Sequence, residues 1–84
     1  MEKIYELNPV DWKKSFYWKC QVIDDGKIAK LKSYSTIVAE YDHKVNKMQV
    51  FGWYSMTTAR HINSFLINFW YDIANKNKME NWEN

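Results

Sequence analysis

Apolar residues change their spacing along the chain, and the change divides it. From Ser15 to Ile23 they alternate, with Phe16, Trp18, Cys20 and Val22 on one side and Tyr17, Lys19, Gln21 and Ile23 on the other. A period of two is the mark of a strand with one buried face. Asp24-Asp25-Gly26 follows and predicts a hairpin turn, because glycine accepts the positive φ such turns need. The return strand begins near Lys27, with Lys30 and Lys32 facing one way and Ala29 and Leu31 the other. Around Ser33-Tyr34-Ser35-Thr36 the alternation stumbles, which predicts a bulge or a corner. It resumes through Ile37, Val38, Ala39, Glu40 and Tyr41. Residues 42–47 read as a second turn, and Met48-Gln49-Val50-Phe51 as the last strand.

Beyond Gly52 the spacing becomes three and four. Ala59, Ile62, Leu66, Phe69 and Ile73, with Phe65 and Trp70 beside them, predict a helix with one buried face. Ser55 and Thr57 are both candidate N-caps, since a hydroxyl there accepts a free backbone N–H of the first turn. The predicted fold is α+β: three or four antiparallel strands over residues 15–53, packed against one long C-terminal helix over 55–76. Residues 1–14 form a short N-terminal segment, in which Asn8-Pro9 predicts one helical turn through Val10, Asp11 and Trp12. Residues 77–84 are expected to be a tail, with Trp82 able to fold back.

Composition sharpens this picture more than it changes it. The 84 residues suffice for one domain, and 46% hydrophobic with 18% aromatic content argues for a packed interior rather than disorder. The net charge of +2 is too small to announce nucleic acid on its own. Cys20 stands alone, so an intrachain disulfide is excluded and a reducing compartment fits. The N-terminus lacks the apolar run of a signal peptide, and Phe65–Tyr71 is too short a stretch to cross a bilayer. These features predict a soluble protein of the cytoplasm, with no membrane partner.

The start of the helix supports two readings. Its first turn carries Arg60 and His61 and no acid, so Ser55, Thr57, Thr58, Arg60 and His61 together can cradle a phosphate or carboxylate. Alternatively, Arg60 pairs with Glu40 or Asp42 and the hydroxyls only cap. On the other side of the helix, Arg60, Ser64, Ile67 and Tyr71 align at about 100° per residue. That mixture has the composition of a protein interface, unless Ile67 and Tyr71 pack under neighbouring segments. A homodimer through this stripe is a further possibility.

Catalytic chemistry has little foothold. Cys20 sits mid-strand on an apolar face, and neither His43 nor His61 is near it in sequence. Two histidines and one cysteine, none at ligand spacing, give no basis for a metal site or a cofactor. There is no glycine-rich phosphate loop. The expectation is a protein that is not an enzyme. A nucleic-acid surface built from Lys30, Lys32, Tyr34 and Arg60 is the alternative, with lysines interleaved among rings.

Ser15-Phe16-Tyr17, the run from Leu31 to Ala39 and the run from Gly52 to Ile62 carry a resemblance. They are similar to a family of small uncharacterised proteins encoded by phages and mobile elements of low-GC Gram-positive bacteria. The likeness covers about residues 15–69, and its Tyr–Ser, paired-Thr and Arg–His pattern at the helix start is its most specific part. It brings no catalytic residues. It implies a protein that works in a bacterial host by binding a host protein, inhibition of a defence system such as CRISPR included, or by binding nucleic acid.

Overall fold

A computed structural model describes residues 2–7 and 19–82. The expected helical turn at residues 10–12 and the first half of the strand expected over 15–23 lie outside the described residues. Five strands form one antiparallel sheet: β1 (Lys3–Glu6), β2 (Cys20–Asp24), β3 (Ile28–Ser33), β4 (Thr36–Asp42) and β5 (Lys47–Val50). They lie side by side in chain order, so every strand pairs with its sequence neighbour. Helix α1 (Met56–Asn68) crosses one face, and a short helix α2 (Lys76–Glu80) follows it. The fold is therefore α+β, as the periodicity predicts.

Alternation decides which residues the helices cover. Cys20, Val22, Ala29, Leu31, Ala39, Met48 and Val50 point from the sheet into the core, where Ile62, Phe65 and Leu66 of α1 and Met79 of α2 meet them. Leu31, Ile62, Phe65 and Leu66 are completely buried. Burying a side chain of that size contributes roughly 1.5–3 kcal/mol, and this apolar layer holds the helices to the sheet. The opposite sheet face carries the row Ile4, Ile23, Lys30, Glu40 and Gln49, paired across all five strands.

The β2–β3 hairpin closes with the predicted chemistry. The N–H of Gly26 donates to Asp24 Oδ1 at 2.8 Å, and those of Lys27 and Ile28 donate to Asp25 Oδ1 at 2.8 and 2.9 Å. Gly26 has φ +92°, a region that glycine enters without a steric penalty. The Ile28 and Lys27 N–H groups hold the Asp25 carboxyl below its ordinary pKa.

Three expectations need correction. The stumble at Ser33–Thr36 is a tight hairpin, in which Ser33 and Thr36 pair and Tyr34 adopts φ +57°. A register shift beyond Leu31 then makes Val38 an extra residue, so Val38 and Ala39 are buried in succession. Strand β1 was not expected at all. It contributes Tyr5 to the helix-covered side, joined there by Leu7 just past its end, while Ile4 stays outside, too short an alternation to register as a period.

The third correction concerns the helix, which is not one long rod over 55–76. It stops at Asn68 and the chain turns back. The N–H of Trp70 donates to the Ile67 carbonyl at 3.0 Å and that of Tyr71 to the Leu66 carbonyl at 2.8 Å. Those two bonds form a Schellman motif, which needs a left-handed residue at its centre. Trp70 fills that place at φ +67°. The returning segment is tied by the Ala74 N–H donating to Asn63 Oδ1 at 2.7 Å, and it brings Ala74 and Met79 into the core. A continuous helix would forgo both. The expected tail likewise holds α2, capped by Asn75, and Trp82 does fold back, its Nε1–H donating to the Met48 carbonyl at 2.9 Å. Among the described residues no helix is long and apolar enough to cross a membrane.

Candidate functional site

The two ends of α1 carry most of the candidate residues, and they differ in character. At its start Ser55 is the N-cap, with Oγ accepting the Thr58 N–H at 3.1 Å. Thr58 and His61 point inward to the end of β3. There Ser33 Oγ lies 3.0 Å from Thr58 Oγ1 and 2.7 Å from His61 Nδ1. All three residues are buried, His61 to 1% exposure. Burial, aided by the neighbouring Arg60 charge, lowers the His61 pKa from 6.5 to about 4, so the ring is neutral at pH 7. A neutral ring accepting at Nδ1 from Ser33, which accepts in turn from Thr58, satisfies the chain of hydroxyls. Tyr34 lies over this cluster, its ring centroid 5.7 Å from that of His61, and Lys19 Nζ is 5.9 Å from the Tyr34 ring.

A serine hydroxyl 2.7 Å from an imidazole has the spacing of a nucleophile and its base. Here both groups are closed off from solvent, and the arrangement works as a polar clamp between the β3–β4 hairpin and the first turns of α1. Of the five residues expected to cradle an anion, Ser55 and Thr58 spend their hydroxyls on the cap and the clamp. His61 is buried and uncharged, Thr57 is exposed and Arg60 is half-buried. That geometry favours the capping role. Glu40 and Asp42, the acids considered for Arg60, sit on the sheet face away from α1, where Glu40 pairs across from Lys30.

The remaining expected residues do not form one patch. Ser64 is 2% exposed, and its Oγ has no hydrogen-bond partner among the described residues. Ile67 is exposed on α1. Tyr71 lies beyond the helix, half-buried, its hydroxyl donating to the Asn46 carbonyl at 3.3 Å. Lys30 and Lys32 project from the sheet face opposite α1, whereas Arg60 is on α1 and Tyr34 is at the hairpin tip. The nucleic-acid set is thus divided between two sides of the sheet.

The end of α1 presents what the sequence pattern concealed. Ile67 is 44% exposed, Ile73 62% and Trp70 97%. The left-handed position in a Schellman motif is one that glycine usually occupies, because any other L-residue there costs roughly 1–2 kcal/mol. A tryptophan held there, wholly in solvent, contributes nothing to the core and strains the backbone. Sequence reasoning placed Ile73 in the buried stripe and Trp70 beside it. One signal was available: from Phe65 round to Ile67 the apolar arc spans roughly 200°, twice the stripe that a sheet-packed helix needs.

Among the described residues, no group of three or more His, Cys, Asp or Glu side chains converges to hold a metal ion. No curated protein and no solved structure matches the chain. A family of unknown function, DUF8033, matches over residues 5–84, and the chain belongs to that family.

Proposed function

We propose that this chain is a small non-enzymatic binding protein of phage or mobile-element origin that occupies a surface of a host protein. The carrying observation is Trp70, a large indole held fully in solvent at a backbone position that favours glycine. Inference from a strained outlier to function is sound in that direction. Tryptophan is also the residue most enriched among interface anchors. Ile67 and Ile73, three residues to either side of it, are exposed apolar side chains as well. The proposed origin rests on the resemblance of residues 15–69 described above.

The test compares the wild-type chain with Trp70→Gly, a change that removes the indole and suits the backbone. Host lysate is passed over each immobilised protein with and without nuclease. A host protein retained by the wild type in both conditions and lost with Trp70→Gly is the expected result. Retention that survives Trp70→Gly together with Ile67→Ala refutes the assignment of the surface. Retention abolished by nuclease transfers the function to the nucleic-acid reading. Sedimentation of the purified chain identifies a homodimer, should the same surface serve one.

A further inference from the structure

A cleft of about 370 Å³ opens between the segment leaving α1 and the end of α2, lined by Tyr71, Lys78, Asn81 and Trp82. That volume falls within the roughly 300–1,000 Å³ of small-molecule sites. Both rings have their polar atoms engaged elsewhere. The Tyr71 hydroxyl donates to the Asn46 carbonyl and the Trp82 indole N–H to the Met48 carbonyl. Two anchors on the β4–β5 hairpin therefore fix the rings, and their ring carbons are what remains for the cleft. Lys78 supplies a cation, its Nζ over the Trp82 ring at 5.7 Å from the centroid, the outer part of cation–π range, so an anion paired with it sits beside that ring. Asn81 has its amide nitrogen held by Asn77 at 2.9 and 3.2 Å, which orients the side chain at the rim.

We infer that this cleft binds a planar aromatic ring bearing one anionic group, the ring against Tyr71 and Trp82 and the anion at Lys78. Aromatic side chains with fixed orientation are stacking platforms that tolerate any flat ring, and the Lys78 ammonium, the one cation lining the cleft among the described residues, selects an acidic substituent. Nucleoside monophosphates and aryl carboxylates share that chemistry. This site is separate from the Trp70 surface, and neither reading depends on the other.

The experiment is a titration of the isotopically labelled 84-residue chain followed by amide and indole N–H resonances. Four probes are used: a nucleoside monophosphate, an aryl carboxylate, the uncharged nucleoside and inorganic phosphate. Saturable shifts of the Trp82 indole N–H and of the Lys78 and Asn81 amides are expected with a ring-bearing anion, and the first two probes show which source is preferred. Lys78→Gln, an exposed change that leaves the rest of the spectrum in place, is expected to weaken binding about fivefold, the size of one partly exposed ion pair. Absence of shifts with both ring-bearing anions overturns the inference. So do equal shifts from phosphate alone or from the uncharged nucleoside, or an affinity that Lys78→Gln leaves unchanged.

Discussion

Protonating His61 is the perturbation with the largest predicted effect on folding. In the unfolded chain an imidazole takes up its proton near pH 6.5, and in the folded protein His61 does so only near pH 4. Between those values the unfolded state binds more protons, so the free energy of unfolding rises with pH. The contribution is therefore complete above about pH 6.5, falls as the pH drops, and levels off below about pH 4. At about 1.4 kcal/mol for each pH unit separating the two titrations, the whole difference is about 3.5 kcal/mol, a large share of the stability of so small a domain. The physical origin is burial, which strips a charged ring of its hydration, with the neighbouring Arg60 charge adding to the cost. Urea unfolding followed by far-ultraviolet circular dichroism, at fixed ionic strength between about pH 5 and pH 8, measures the slope. The Asp25 carboxyl, held below its ordinary value of 3.8, stays ionised throughout that window. His61→Gln keeps a hydrogen-bonding side chain that does not titrate, and comparison with it subtracts every other group. A wild-type stability that is flat over this range, or a slope that is the same in His61→Gln, refutes the reasoning.

Other expectations follow from single contacts. Trp70→Gly relieves the left-handed strain but adds chain entropy, so the protein should be unchanged or up to about 1 kcal/mol more stable; a loss of more than that in urea unfolding would mean the indole supports the fold. Ser55→Ala removes the cap from the Thr58 N–H and should cost about 1 kcal/mol, read in the same assay. Cys20 is completely buried, and burial, with the Glu6 charge adding to it, pushes its thiol up to about 12. It should resist an aromatic disulfide reagent at neutral pH until urea unfolds the chain, and prompt labelling of the native protein would contradict its burial.

Some of this architecture is legible in the amino-acid sequence alone. Cys20 with Val22 and Met48 with Val50 show their buried face by alternation alone, Asp24-Asp25-Gly26 announces its turn, and Ser55 its cap. These are local signals, in which a side chain's own chemistry specifies its neighbour. The missed features lack one. The β3–β4 hairpin has Tyr34 at a positive φ in place of the glycine or asparagine that marks such a turn, and the break after Asn68 has a tryptophan where glycine would have announced it. Strand β1 depends on a pairing with β2 across a long gap in the chain. Ser33 gains its role only because the hairpin delivers it to Thr58 and His61, residues far along the sequence. The exposed surface at Ile67, Trp70 and Ile73 was hidden for a related reason: a helix-length pattern continued past the point where packing of Ala74 and Met79 made stopping worthwhile.

The fold-back of Trp82 also bears on how the sheet ends. The Phe51 N–H donates to the Val38 carbonyl at 3.1 Å, and alternation along an antiparallel pair then leaves Met48 opposite Tyr41 with its carbonyl directed away from β4. Strand β5 is an outermost strand, and such a margin invites pairing with another chain. The indole N–H of Trp82 occupies that acceptor, and the Tyr71 hydroxyl occupies the Asn46 carbonyl just before it. Two side chains thus stand where a foreign backbone would dock. A chain ending at Glu80 would leave the margin bare at Met48, and self-association through added strands would be its first liability.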